Sequence, residues 1–250
     1  METLLITQAR TGSSRLPGKV LKTVDGKTLL QIHLERLKKC QMVNDIIVAT
    51  TLEKYDEPIA TMAKEWGFHT YRGSEEDVLD RFYQAAKPFK PNWIVRVTSD
   101  CPLLDPDLVD KIIEFSHQHE ADYVSNNFET HFPHGQDVEV FTFKTLERAW
   151  KETNKLTERE HVTPYLRNNS DLKGGSLFKA LNYPIEHNYG GIRMTIDEEE
   201  DYELIKILVQ DLGSNKSWKE YADYMVNKSL TTINCQYKRN EGYLKSLEKD

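Results

Sequence analysis

The chain has 250 residues, 38% hydrophobic and 29% charged, with a formal net charge of -7 and a mean hydropathy of -0.63. Such a length buries a substantial core without disulfides. The three cysteines, Cys40, Cys101 and Cys235, lie far apart with no C-x-x-C pair, which suggests neither a zinc site nor a disulfide framework and fits a reducing cytoplasm. With no basic stripe, no apolar run near the ~20 residues of a spanning helix and no signal-peptide pattern at Met1–Ile6, neither nucleic acid nor membrane is an expected partner.

In chain order, Leu4–Thr7 reads as a first strand, followed by a polar, glycine-containing loop from Gln8 to Lys19. Thr28 is placed to cap a helix, with Gln31 three residues on to complete a capping box, and Leu30, Leu34 and Leu37 share one face of it. Asp45–Thr50 is a compact buried strand, and a helix starting at Asp56 stops at Gly67. His69–Arg72 forms a short strand. Ser74 then caps a helix whose first turn holds Glu75, Glu76 and Asp77, where the helix dipole favours acids. Trp93–Thr98 is the next strand, and Asp105-Pro106 opens the following helix. Later strands are read at Ala121–Ser125, Asp137–Phe143 and Ile192–Ile196, with helices at Thr145–Lys155 and Glu198–Gly213. This alternation implies crossover units and a mainly parallel sheet in one α/β domain. From about Thr231 no period is evident, and the chain is expected to continue as a loosely held tail.

Three segments carry chemistry. Q-A-R-T-G-S-S-R-L-P-G-K, Gln8 to Lys19, follows the first strand, at the sheet edge where open α/β folds bind ligands. Gly12, Ser13 and Ser14 bring backbone N–H groups toward an anion, and Arg10, Arg15 and Lys19 add forked and point charges suited to phosphate. A solvated surface loop is the plainer alternative. The Walker pattern and G-x-G-x-x-G are both missing, which argues against a dinucleotide oxidoreductase. Asp100 falls at the end of the Trp93–Thr98 strand, placed to hold Mg²⁺ against phosphates, or simply to turn the chain before Pro102. Asp197 ends one strand and begins a helix, as a second metal ligand or only a cap.

Together these residues resemble a known family. The opening motif is similar to that of the spore-coat polysaccharide cytidylyltransferase-like proteins, relatives of CMP-KDO synthetases and acylneuraminate cytidylyltransferases. R-G-S-E-E-D-V-L-D-R-F at Arg72–Phe82, R-V-T-S-D-C-P-L-L-D-P at Arg96–Pro106, H-G-Q-D-V-E-V-F at His134–Phe141 and R-E-H-V-T-P-Y at Arg159–Tyr165 agree in the same order. The resemblance implies a Rossmann-like, three-layer nucleotide-diphospho-sugar transferase fold with a mainly parallel mixed sheet over residues 1–230, and residues 231–250 as a tail. It implies a Mg²⁺-dependent transfer of CMP from CTP to an anionic sugar acid or related acceptor, with pyrophosphate released, in polysaccharide or glycoconjugate synthesis.

Carried onto this sequence, the resemblance gives Arg10, Arg15 and Lys19 to the triphosphate, with Gln8, Ala9, Gly12 and Ser13 beside it. Asp100 and Asp197 take the metal, and Arg72, Ser74 and Asp77 approach the nucleoside. Gln136, Asp137, Glu139, Arg159 and His161 are the acceptor candidates. Asp137 and Glu139 also read as an exposed strand face, and Arg159 as part of a polar first helical turn. The resemblance further implies a homodimer, for which Phe128, Phe132, Val140 and Phe141 offer either surface or core. Two rivals remain: a glycosyltransferase, for which Asp105-Pro106-Asp107 supplies a D-x-D, and a non-catalytic nucleotide-binding module.

Overall fold

The computed structural model describes residues 2–239 and 241–247. The chain runs β1 (Thr3–Gln8), a small hairpin of β2 (Thr23–Val24) and β3 (Lys27–Thr28), α1 (Leu29–Leu37), β4 (Asp45–Thr51), α2 (Glu57–Glu65), β5 (His69–Gly73), α3 (Val78–Ala86), β6 (Trp93–Thr98) and α4 (Pro106–His119). It continues through β7 (Tyr123–Ser125), β8 (Glu139–Thr142), α5 (Phe143–Glu152), α6 (Leu156–His161), α7 (Pro164–Asn168), β9 (Ala180–Asn182), α8 (Glu199–Leu212), α9 (Trp218–Asn227) and α10 (Glu241–Ser246). The main sheet has the order β5-β4-β1-β6-β8-β7-β9. Only the pairings of β8, with β6 and with β7, are antiparallel, so the mainly parallel mixed sheet is as expected.

Alternation along the strands assigns the layers. Leu4 and Ile6 of β1 point to the face covered by α3 and α5, where they meet Leu79, Phe82 and Leu146. Leu5 points to the other face, with Leu30, Leu34 and Ile112 from α1 and α4. A third cluster joins α8 and α9 to the first hairpin and to Ile192, Met194 and Ile196. Phe132, Val140 and Phe141 are buried, and Phe128 is half-buried beneath the Arg167 guanidinium. Phe132, Val140 and Phe141 are therefore core, and Phe128 packs against it.

Several boundaries differ from the sequence reading. Asp77, and not Ser74, caps α3: its Oδ1 accepts from the Asp80 amide at 2.9 Å. Glu75 and Glu76 precede the helix, because Ser74 closes a separate turn by accepting the Asp77 amide. Thr28 caps α1, but Gln31 turns its amide to Glu35. Ile192–Ile196 is extended yet forms one isolated bridge, His134 with Arg193, so it lines the sheet edge without joining a ladder. Among the described residues no helix is long and apolar enough to cross a membrane.

Among the described residues, the stretch after Thr231 is anchored rather than loose. Asn234 is 1% exposed, its amide donating to the Arg193 carbonyl at 3.2 Å and to Asp201 Oδ1 at 2.8 Å. Arg239 reaches the Phe132 carbonyl and the Asp137 carboxylate, and α10 packs on α6. Polar bonds to distant buried partners hold this stretch, and they leave no periodic trace in sequence. Asn234→Ala removes a donor from the Arg193 carbonyl and from Asp201 Oδ1, which keeps only the Arg193 Nε, at about 1–3 kcal/mol for buried hydrogen bonding lost. The expected loss in thermal midpoint, read by calorimetry, is roughly 2–4 °C per kcal/mol in a chain of this size.

Candidate active site

Parallel pairing of β1 with β6 sets Gln8 beside Thr98, and both the amide and the hydroxyl of Ser99 donate to the Gln8 carbonyl, at 3.1 and 2.7 Å. The connection after β1 leads to β4 on one side, and the chain later returns to β6 on the other. The loops after β1 and β6 therefore part at the topological switch point, where such sheets leave a crevice. A cavity of about 330 Å³ opens there.

In the first loop, Gly18 adopts φ +70, a left-handed conformation that glycine enters without strain, and starts the 3-10 turn carrying Lys19. Gly12 lies so close to Glu75 that a Cβ would meet its carboxylate at 2.9 Å. The Ser13 amide, expected to face an anion, is instead donated to the Thr11 carbonyl at 2.8 Å.

Lys19 ends at the centre of the site, 8% exposed. Its ammonium donates to Asp100 Oδ2 at 2.9 Å, Asp197 Oδ1 at 2.8 Å and the Ile196 carbonyl at 2.7 Å. Asp100 is further held by the Thr98 hydroxyl at 2.6 Å. Asp197 also meets Arg15 at 3.1 Å and Arg193 at 3.0 Å. Burial disfavours charge on Lys19, but the two carboxylates outweigh it and raise the ammonium pKa. Burial likewise works against the Asp100 carboxylate, yet Lys19 and the Thr98 hydroxyl hold it well below the usual range. Both groups therefore stay charged at neutral pH. Asp100 Oδ2 and Asp197 Oδ1 both lie within 3 Å of the Lys19 ammonium, which takes the place between them; carboxylates of this kind are the groups that could hold Mg²⁺, which needs only one or two of them beside phosphate oxygens and water.

Gln8, Ala9, Arg10, Ser13, Arg15, Lys19, Asp100 and Asp197 all line the cavity. Ser14 lines it too, as do residues to which the sequence assigned no role: Thr98, Ser99, Glu160, Ser246 and above all Arg81. Arg81 is 1% exposed, donates from Nη1 to the Ser74 carbonyl at 2.8 Å, and has a buried Nε with no hydrogen-bond partner. Burial, reinforced by the nearby Arg10 charge, pushes its pKa down to about 10, so it remains a cation. Its signal was readable: Val78, Phe82 and Ala85 form the buried face of α3, and Arg81 is a lone charge inside that stripe.

Residues 4–230 match the cytidylyltransferase family. A Methanocaldococcus jannaschii protein of uncharacterised role is 45% identical over 206 residues, covering 82% of both chains. The spore coat polysaccharide biosynthesis protein SpsF of Bacillus subtilis is 34% identical over 236 residues, 92% of this chain and 93% of its own. A solved cytidylyltransferase from Leptospira borgpetersenii superposes with a TM-score of 0.86 at 34% identity, covering 94% of this chain and 98% of that one. The chain belongs to the cytidylyltransferase family.

Within this family member, the residues expected around the nucleoside and the acceptor take other partners. Arg72 donates to the carbonyls of Thr51, Leu52 and Glu53, and so shapes the turn after β4. Asp77 is paired at 2.7 Å with Arg159, which also holds the Thr153 carbonyl at 3.1 Å. Gln136 is fully buried, accepting the Asp105 amide and donating to the Leu103 carbonyl. Glu139 bonds Arg96 and Tyr123, each at 2.5 Å, and Asp137 bonds Arg239. His161 faces Ser246 at 2.8 Å and the edge of Tyr243. None of these seven, nor Ser74 or Gly12, belongs to the described cavity lining. Residue type had pointed to ligand binding; partner geometry gives each a structural bond. The D-x-D of Asp105-Pro106-Asp107 is a helix start: Asp105 accepts the Asp107 and Trp218 amides.

The charged centre sets a pH dependence. The raised Lys19 value contributes stability below its ordinary 10.5, lost as pH climbs through the folded value. The depressed Asp100 value contributes stability above its ordinary 3.8, lost as pH falls toward the folded value. Urea unfolding should therefore show a stability gap between wild type and Lys19→Met that is flat from about pH 5 to 9 and narrows below about pH 4. A gap that widens in acid would contradict the Lys19–Asp100 assignment.

Proposed function

We propose that this protein transfers CMP from CTP to an anionic sugar acid or a related acceptor, with Mg²⁺ bound at Asp100 and Asp197. The observation that carries this reading is the convergence of two strand-edge carboxylates and Lys19 on the floor of a cavity rimmed by Arg10, Arg15 and Arg81. Paired carboxylates suit a metal-bound triphosphate, and the surrounding cations suit its phosphates and an acidic acceptor.

In the proposed reaction an acceptor hydroxyl attacks the α-phosphorus of CTP. The bond from that phosphorus to the bridging β-oxygen breaks, and pyrophosphate leaves with the electron pair. The chain's task is to place the reactants in line and to neutralise the charge that grows on the leaving oxygens. In this reading Arg10, Arg15 and Lys19 face the β- and γ-phosphates, and the unsatisfied Nε of Arg81 offers a further donor. Thr98 orients Asp100 through its hydroxyl, while Arg193 orients Asp197. Bound Mg²⁺ would supply Lewis-acid polarisation of the phosphate oxygens.

Pyrophosphate release from CTP and Mg²⁺, assayed against KDO, sialic-type acids and smaller acidic acceptors, tests the reading directly. Turnover that depends on CTP and one acid supports it. Consumption of a nucleotide-sugar without pyrophosphate would replace it with a glycosyltransferase, and CTP binding without any turnover with a binding module. Asp100→Asn should reduce turnover by about 10²–10³; retention of more than about half would remove Asp100 from the metal site.

Lys19 and a dication compete for the same carboxylate oxygens. Without nucleotide, Lys19→Met is expected to bind Mn²⁺ about tenfold more tightly than wild type, since a unit charge some 3 Å away is removed. Electron paramagnetic resonance titration reads this without turnover. Equal affinities would argue against metal binding between Asp100 and Asp197.

A further inference from the structure

The loop bearing Arg10, Ser13 and Arg15 is tied down from another βα unit by one buried carboxylate. Asp56 stands at the N-cap of α2, a position where aspartate ordinarily bonds its own helix, yet its side chain makes no bond to that helix. Oδ1 accepts both the amide and the hydroxyl of Thr11, each at 2.7 Å. Oδ2 accepts the Thr51 hydroxyl. Thr11 is the hub of the loop, because its carbonyl collects the Ser13 amide at 2.8 Å and the Gly18 amide at 2.9 Å. Both ends of the turn that precedes Lys19 thus close on a residue that Asp56 holds.

Burying a carboxylate is costly unless hydrogen bonds repay its lost hydration, and Asp56 is fully buried. Ordinary helix capping would have required only a half-exposed acid at this place. The carboxylate instead reaches across 45 positions of sequence, and its charge favours the buried Arg81 guanidinium. The geometry points to Asp56 as a positioning residue that, through Thr11, holds the 10–18 loop in the conformation that receives the nucleotide phosphates. This inference rests on the nucleotide reading of the cavity.

The test compares wild type with Asp56→Ala, Asp56→Asn and Thr11→Val. Amide exchange over residues 9–19, followed by mass spectrometry, should accelerate about tenfold or more in Asp56→Ala, because the Thr11 hub loses the buried acceptor of its amide and hydroxyl. Mg–CTP affinity should fall by a similar factor, with KM for CTP rising more than kcat drops. Asp56→Asn keeps an oxygen for both Thr11 donors and should recover affinity to within about threefold of wild type. Thr11→Val, which keeps only the amide, should fall between.

A merely structural role would lower the thermal midpoint of Asp56→Ala while leaving CTP affinity of the folded protein within about twofold of wild type, and that result overturns the proposal. Should Asp56→Ala fail to fold, Thr11→Val decides: unchanged exchange and unchanged CTP affinity overturn it. A wild-type protein that binds no CTP refutes the nucleotide reading instead. The exchange comparison still discriminates there, since a loop equally protected without Asp56 overturns the positioning role.

Discussion

The site depends on one ammonium placed between two carboxylates. Asp100 comes from the end of β6, Asp197 from the approach to α8, and Lys19 from the turn after β1. At such a distance two carboxylates would repel and one would take up a proton. The Lys19 ammonium lets both remain charged, and it ties together three segments separated by 81 and 178 positions of sequence. Buried ion pairs earn little net stability, but removing one partner costs several kcal/mol because the other charge is left uncompensated. The fold therefore commits stability to keeping this charge arrangement intact.

From that centre the constraint spreads outward. Asp197 is shared with Arg193, and Arg193 is paired at 2.7 Å with Asp201, which is fully buried. Asp201 in turn accepts the Asp197 and Glu198 amides and the Asn234 side chain. One cooperative network thus links the first loop, the extended 192–196 segment, the start of α8 and the chain beyond residue 230. Low local dielectric strengthens each member while it is satisfied and penalises each that is not. The segment is seated without a strand ladder because backbone bonds to His134 and Asp100 and the side chains of this network hold it.

Much of this was legible in the sequence. Short runs such as Ile46-Ile47-Val48 give strands because β-branched residues suit a two-sided sheet, and strand ends tell where carboxylates can gather. Lys19, Asp100 and Asp197 were visible by that logic. Partners were not. Gln136, Glu139 and Arg159 have types that serve ligands and scaffolds equally, and only their place outside the cavity lining distinguishes the two. Asp56 looked like a helix start because the cap position is a local signal, whereas its bonds to Thr11 are long-range. Arg81 was hidden differently: helical periodicity marks its position as core, and periodicity carries no information about why a charge sits there.

The cavity divides by origin. Its floor comes from the ends of β1 and β6, the loops after them and the approach to α8, all within residues 4–230 that match the family. The opposite rim brings Glu160 from α6 together with Ser246 from α10, and α10 lies beyond that span. The rim is fastened by His161 to Ser246, by Tyr243 against His161, and by Glu241 at 3.8 Å from Arg15. Arg15 is thereby shared between the charged floor, through Asp197, and the C-terminal rim, through Glu241.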